Sequence, residues 1–390
     1  MNTKSRVTFL IVIAQFLGTT LWFVGNITIP QIPLPRLADT VAIGNALAAV
    51  QFGFITGTLI FAFLALADRF SPSRLFFLSA LLGALVNLIL LLPSINMNII
   101  LISRFFTGFF LAGIYPVGMK IASDYYEKGL GKVLGYLVGA LVLGTALPHL
   151  LNSLGVAFNY KSITVLTSVL ALIGGILIGF GVPNGPYRSA QKKMQLWAIP
   201  RLFKVKSFRK AAMGYFGHMW ELYAFWGFIP VFLSHYSYAS DSVVNVPFWS
   251  FCIIAIGSLS CAFGGHLSLK LGSKTVARIS LSISGICCLI SPLLFKTPFY
   301  IFIPFLLIWG AAVVSDSPQF SNLVAQNALA EYRGTALTIV NCIGFALTIL
   351  SIQILSQWAL QVDPQYLFII LAVGPLLGGI SILSKNHNKS

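Results

Sequence analysis

The chain has 390 residues, of which 57% are hydrophobic and only 9% charged, with a mean hydropathy of +0.88, whereas soluble domains carry roughly 25% charged residues. No water-soluble fold hides so much apolar surface, and long unbroken apolar runs, lacking the alternation of barrel strands, point to membrane-spanning helices. The net charge of +16 does not indicate a nucleic-acid partner, because the bases lie between the apolar runs and not on one face of a soluble module.

In chain order, the first apolar run follows Lys4 and Arg6 and is too long for the core of a cleaved leader, so it reads as an uncleaved first helix. Segments of about 20 residues, the length that crosses a bilayer, fall near 7–29, 43–66, 74–93, 98–120, 132–152, 161–181, 211–235, 245–268, 275–294, 299–321, 334–357 and 364–384. The one long polar interruption, 182–210, opens with Val182, Pro183, Asn184, Gly185 and Pro186 and is rich in Lys and Arg. The sequence therefore divides into a six-helix bundle over 1–181, a linker over 182–210 and a second six-helix bundle over 211–390. Within the linker, Trp197, Phe203 and Phe208 among five bases suit a segment lying on anionic lipid headgroups, or equally a solvated basic loop.

Placing both termini in the cytoplasm puts twenty-one bases on the inner side and only Arg36, Lys161 and Lys296 on the outer, with Arg104 inside a helix. That asymmetry predicts cytoplasmic ends, an even number of helices and a place in the cell's inner (plasma) membrane. The five cysteines, Cys252, Cys261, Cys287, Cys288 and Cys342, sit in apolar runs and read as small core hydrophobes; nothing calls for a metal or a cofactor. Asp124 and Glu127 beside Lys120, Lys128 and Lys132 read as a solvated charge cluster.

The two halves repeat at an offset near 200: Gly18 with Gly217, Pro30 with Pro230, Gly57 with Gly257, Leu66 with Leu267, Arg69 with Lys270, Gly108 with Gly310, and Pro116 with Pro318. Residues 64–74 read L-A-L-A-D-R-F-S-P-S-R, and their counterpart 265–274 reads G-H-L-S-L-K-L-G-S-K. This pair resembles the G-x-L-a-D-R-x-G-r-k loop of the major facilitator superfamily, keeping Asp68 and Arg69 in the first copy but with Leu64 and Ser71 where glycines are usual. The superfamily's R-x-x-x-G-x-x-x-A signature stands at Arg104, Gly108 and Ala112. The stretch R-K-A-A-M-G-Y-F-G-H-M-W-E-L-Y-A-F-W from Arg209, with S-D-S-P-Q-F-S from Ser315, is similar to a bacterial group often labelled cyanate or nitrate/nitrite permease-like. Nitrate carriers of the superfamily would be expected to hold mid-membrane arginines in the second and eighth helices, and 43–66 and 245–268 contain none.

The resemblance implies an all-α membrane fold of twelve helices in two six-helix bundles related by a pseudo-two-fold axis, with the first, fourth, seventh and tenth helices around a central cavity. Charges inside a membrane are costly and mark function by default. Arg104, His218, Glu221 and Asp316 are the clearest, and they fall on three of those four helices. Helical spacing groups Glu221 with His218, Phe225 and Phe228; Arg104 with Gly108 and Tyr115; Asp316 with Trp309, Gln319 and Phe320; and, on the first helix, Gln15, Thr19, Trp22 and Asn26. Trp220, Tyr223 and Trp226 point off the Glu221 face, as helix packing. At 1.5 Å per residue Glu221 lies about 16 Å deep, near the middle of a core about 30 Å thick. Burial there penalises a charged carboxylate, which is what a proton-coupling group requires.

The expected activity is secondary active transport of a small organic solute, anionic if Arg104 reaches it, by alternating access of the two bundles. Glu221, Asp316, His218 and Arg104 are the candidate proton-coupling groups. Gln15, Thr19, Trp22, Asn26, Arg104, Tyr115, His218, Glu221, Phe225, Trp309 and Gln319 are the candidate substrate contacts, and Asp68 and Arg69 the gating pair. No G-x-x-x-x-G-K-[ST] loop, G-x-S-x-G or H-E-x-x-H grouping is present, so nucleotide-driven pumping and intramembrane hydrolysis lack their chemistry. The fifth segment lacks the G-P-x-x-G-G ending of drug antiporters, which favours proton symport into the cell over proton-driven export. The expected partners are protons, the solute and lipid, with the chain a monomer.

Overall fold

The computed structural model describes residues 3–33, 39–126, 129–155, 158–188 and 194–383. Arg36, Glu127, Lys128, Lys192, Lys193, Lys385 and Lys389, all used in the charge reading above, lie outside the described residues. Eleven helical spans are long and apolar enough to cross a membrane: α1 (Lys4–Gln31), α2 (Asp39–Phe63), α3 (Pro72–Leu91), α4 (Met97–Tyr125), α5 (Leu130–Ser153), α6 (Tyr160–Gly181), α8 (Val246–Leu271), α9 (Ser273–Leu294), α10 (Phe299–Asn327), α11 (Ala330–Trp358) and α12 (Pro364–Ile382). The twelfth is α7 (Lys206–Ala239), a continuous 34-residue helix. It is the least apolar of the twelve because it carries His218, Glu221, two tryptophans and four tyrosines. It also starts inside the stretch expected to be linker.

The duplication is visible in the packing. Helices α2 and α4 pack closely, as do α8 and α10, and Gly108 and Gly310 sit at the two crossings. A Cβ at Gly108 would collide with the Val50 carbonyl, and one at Gly310 with the Ile253 carbonyl, so both positions require glycine for close backbone approach. The two halves meet mainly through α2 with α11 and α5 with α8.

Among the described residues, α12 begins as two short 3-10 turns before its α-helix at Val373, and α1, α4 and α10 are broken in mid-span. In α4 the helix stops at Leu111 and restarts at Tyr115, and in α10 it stops at Ser315 and restarts at Ser317. Pro116 and Pro318 enforce these breaks, since proline lacks an N–H and clashes with the carbonyl four residues back. The Val314 carbonyl so displaced accepts the Cys261 thiol at 3.4 Å. α1 is interrupted between Thr19 and Val24 without a proline.

With six spans between the start of α1 and the linker, the chain's start, the linker and the end of α12 share one end of the bundle, the linker end. The halves are tight at the opposite end: Gln353 Nε2 donates to Asn45 Oδ1 at 3.2 Å, Gly44 abuts Ser356, and Asn26 Nδ2 donates to the Gly227 carbonyl at 3.3 Å. α5 and α8 also pack against each other between the halves. Gly139 still meets Ser258, but no neighbouring atom lies within 4 Å of where a side chain would start at Gly131, Gly135 or Gly265. Open space therefore surrounds these three glycines in the linker-side parts of α5 and α8.

The linker begins on the first half, where Arg188 Nη2 donates to the carbonyls of Asp68 and Phe70, both at 2.8 Å. It ends on the second, where Trp197 meets Tyr332 edge-on and the Gln195 N–H donates to Thr335 Oγ1. Its short helix Ile199–Lys204 buries Leu202, while Trp197 is exposed beneath Arg201.

Candidate functional site

Glu221 and Arg104 each turn into their own half, and neither faces the other. Glu221 Oε1 accepts from Trp309 Nε1 at 2.7 Å, Ser284 Oγ at 2.5 Å and Cys288 Sγ at 3.3 Å. Its face of α7 therefore turns into the second half, between α9 and α10, with Phe225 packed at a tilt against Trp309, ring centroids 4.7 Å apart. The expected grouping of Glu221 with Phe225 is present, but Trp309 joins it and not Asp316. Cys288 is more than a core hydrophobe, since its thiol donates to the carboxylate. All three donors are neutral, so no cation balances the carboxylate there.

Arg104 turns into the first half. Nη2 donates to Asn87 Oδ1 at 2.6 Å and Thr107 Oγ1 at 2.9 Å, and Nη1 to the Leu21 carbonyl at 3.3 Å. Asn87 in turn donates to the Thr164 carbonyl, Thr167 Oγ1 and Ser168 Oγ. Arg104 thereby supplies a donor to a backbone carbonyl freed by the break in α1, and its stem lies against Gly25. The stripes expected to converge on one cavity do not all do so, because Arg104 and Glu221 are each committed within their own half.

Asp316 sits at the break in α10, and its Oδ1 lies 2.8 Å from His218 Nδ1, with both side chains about 1% exposed. This pair joins α7 to the hinge of α10 one turn of α7 away from Glu221. The rings of Tyr215 and Phe320 flank His218 at 6.0 and 6.2 Å. Gln319 is buried in the second piece of α10, and Tyr115 is half-buried at the start of the second piece of α4.

The stripe on α1 reaches the other half at its upper end. Trp22 stacks on Tyr223 at 5.6 Å and Phe345 at 5.9 Å and packs on Phe54 at 5.0 Å, while Phe23 meets Tyr223 and Trp226. Tyr223 and Trp226, expected as helix packing, pack across the two halves against Trp22 and Phe23; Trp220 packs within its half, against α12. Thr19 bonds back to the Gln15 carbonyl at 2.8 Å and faces α5 at Gly144. Sequence reasoning missed Tyr223, Phe54 and Phe345, since a phenylalanine in an apolar run carries no sign of facing a ring or a lipid. Ser284 and Cys288, four residues apart on one face of α9, were a legible signal.

The Asp68 loop is tied within its own half. Lys120 Nζ lies 3.6 Å from Asp68 Oδ1 and 2.6 Å from Asp124 Oδ1, with all three side chains largely buried. Lys120 and Asp124 are therefore not the solvated cluster expected from sequence: the Asp124 carbonyl also receives the Tyr187 N–H, and Gly185 covers it. Arg69 is exposed.

No curated protein sequence matches the chain. In three dimensions it is similar to the nucleoside transporter NupG in a crystal structure of a single-site mutant, with a TM-score of 0.72 and 16% identity over 98% of this chain and 99% of that one. At that identity the likeness is one of fold. The family model of the Major Facilitator Superfamily matches residues 11–352, and with two six-helix halves, duplicated glycine crossings and broken helices lining their interface, the chain belongs to the Major Facilitator Superfamily.

Proposed function

We propose that this transporter moves a small organic solute into the cell together with protons, by rocking its two halves against each other across the α2–α11 and α5–α8 contacts. The observation that carries the reading is the placement of two carboxyl groups deep in one half. Glu221 is held by neutral donors alone, and Asp316 by a histidine at the hinge of α10. An ionised carboxylate without a cation is costly away from water, and Glu221 has only neutral donors around it. His218 and Glu221 on one helix, and Asp316 at a break that can bend, couple protonation to movement. The bundle's linker end faces the cytoplasm in this reading, as the distribution of bases supports. A membrane-impermeant thiol reagent should therefore fail to label a cysteine placed at Arg201 in intact cells; labelling from outside would reverse the orientation.

Proteoliposomes filled with a pH-sensitive dye and challenged with a library of small organic solutes test the coupling. A transported solute should acidify the lumen. Glu221→Gln keeps the shape and hydrogen bonding but cannot titrate, so accumulation driven by a pH gradient should be lost while exchange between equilibrated sides survives. Full gradient-driven accumulation by Glu221→Gln would move the coupling to Asp316, and accumulation indifferent to the gradient would reject protons as the driving ion.

A further inference from the structure

One stripe of α2 meets α11 of the other half at two levels. Near the start of α2 a Cβ at Gly44 would abut Ser356 and Ile352 of α11, and further along the ring of Phe54 lies 4.5 Å from that of Phe345. Residues three, four or seven apart share one face of a helix. Gln51 stands seven beyond Gly44, four beyond Leu47 and three before Phe54, and the Leu47 side chain lies against Gly227 of α7. Gln51 therefore points at the second half, midway along the helix Asp39–Phe63.

Gln51 is 0% exposed, and neither its amide oxygen nor its amide nitrogen has a hydrogen-bond partner among the described residues. The facing surface of α11 explains why. The two helices run antiparallel, so the contacts of Gly44 with Ser356 and of Phe54 with Phe345 bring Thr348 level with Gln51. The hydroxyls there donate back to their own helix: Thr348 to the Phe345 carbonyl, Ser351 to the Thr348 carbonyl and Ser356 to the Gln353 carbonyl. Asn45, one level nearer the start of α2, is treated differently, since its Oδ1 accepts from Gln353 Nε2. One amide of α2 is thus paired across the halves and the other is not.

A polar group buried without a partner is penalised, and the same group in water is not. For Gln51 the penalty lasts only while α2 and α11 lie together, because their separation hydrates the amide. Gln51 therefore disfavours the conformation closed at the end opposite the linker, against the rings of Trp22, Phe54, Tyr223 and Phe345 that pack across the halves and favour it. A carrier needs both conformations within reach of each other, and opposing contributions of this kind keep the balance even.

We propose that Gln51 is a release built into the α2–α11 contact, an amide left unpaired when the halves close and set free when they part. The inference requires the halves to move, as the transport reading does, but neither protons as the driving ion nor a particular solute.

Spin labels at Leu154 and Val243, exposed residues of the two halves at the end opposite the linker, report opening of the full-length protein without disturbing the contact itself. In Gln51→Leu the ratio of open to closed molecules should fall about fivefold or more, and the melting temperature should rise. Gln51→Met, unbranched and similar in length, should act the same way and guards against a misfit of the branched side chain. Gln353→Leu, which takes the donor from Asn45, should do neither, and so separates the release of an unpaired amide from a general gain on adding apolar surface. The inference is overturned if Gln51→Leu and Gln51→Met leave the ratio unchanged or raise it. It is overturned equally if both melt below the parent, as they would if the amide were already satisfied, or if Gln353→Leu closes the protein as strongly as they do. A parent fixed at one distance would defeat the movement of the halves and this inference with it, whereas unshifted variants of a mobile parent would defeat this inference alone.

Discussion

Arg104 donates to Asn87, Thr107 and the Leu21 carbonyl, so Arg104→Leu strands at least two acceptors in a fully buried region. Each stranded group costs about 1–3 kcal/mol. The variant should melt well below the parent, while affinity for a transported solute in the surviving folded fraction should change little. A large loss of affinity at unchanged stability would return Arg104 to the binding site. The cost of Arg104 was legible in the sequence, since a charge in an apolar run needs a partner, but its direction was not. Its acceptors, an asparagine on α3 and a carbonyl on α1, come from segments whose packing no spacing rule on α4 reveals. For Glu221 helical spacing did find a true neighbour, Phe225, because both lie on one helix. Trp309 was assigned to Asp316 because it lies seven residues away on an unbroken helix, and the break at Asp316 changes where the two residues point.

At the scale of elements, spans emerged from apolar length alone, whereas their ends and breaks did not. α7 begins at Lys206, within the basic stretch, because a helix continues through Arg209 and Lys210 into water once its deeper turns are packed. Pro116 and Pro318 announced two breaks, but the break in α1 has no proline and is recognisable only from the Arg104 donor that meets it. The loop after α2 carries Asp68 and Arg69, the expected gating pair. In this conformation Asp68 instead faces Lys120, which also holds Asp124 against the start of the linker. This arrangement ties the loop to α4. Asp68→Asn removes the charge that Lys120 meets, and should slow turnover severalfold while leaving solute affinity near the parent value. Transport rate and equilibrium binding measured on the same preparation check this, and a parallel loss of both would place Asp68 in binding rather than in movement.

For the whole molecule, the repeat at an offset near 200 residues foretold two like halves, and Gly108 and Gly310 at equivalent crossings show why it persists: both crossings need bare backbone. Which end is closed could not be read from sequence, because it depends on contacts between halves. Those contacts are an amide pair at Asn45 and Gln353, the Asn26 bond to Gly227, and a layer of rings drawn from α1, α2, α7 and α11. Alternating access requires that these separate when α5 and α8 close at Gly131 and Gly265. Pulsed electron spin resonance on two doubly spin-labelled proteins, Asn45 with Gln353 and Gly131 with Gly265, measures both ends directly and needs no knowledge of the solute. The account predicts two populations whose distances change in opposite senses, with a balance that shifts with pH in the parent and loses that dependence in Glu221→Gln. A single fixed distance at both ends, or both pairs lengthening together, would contradict it.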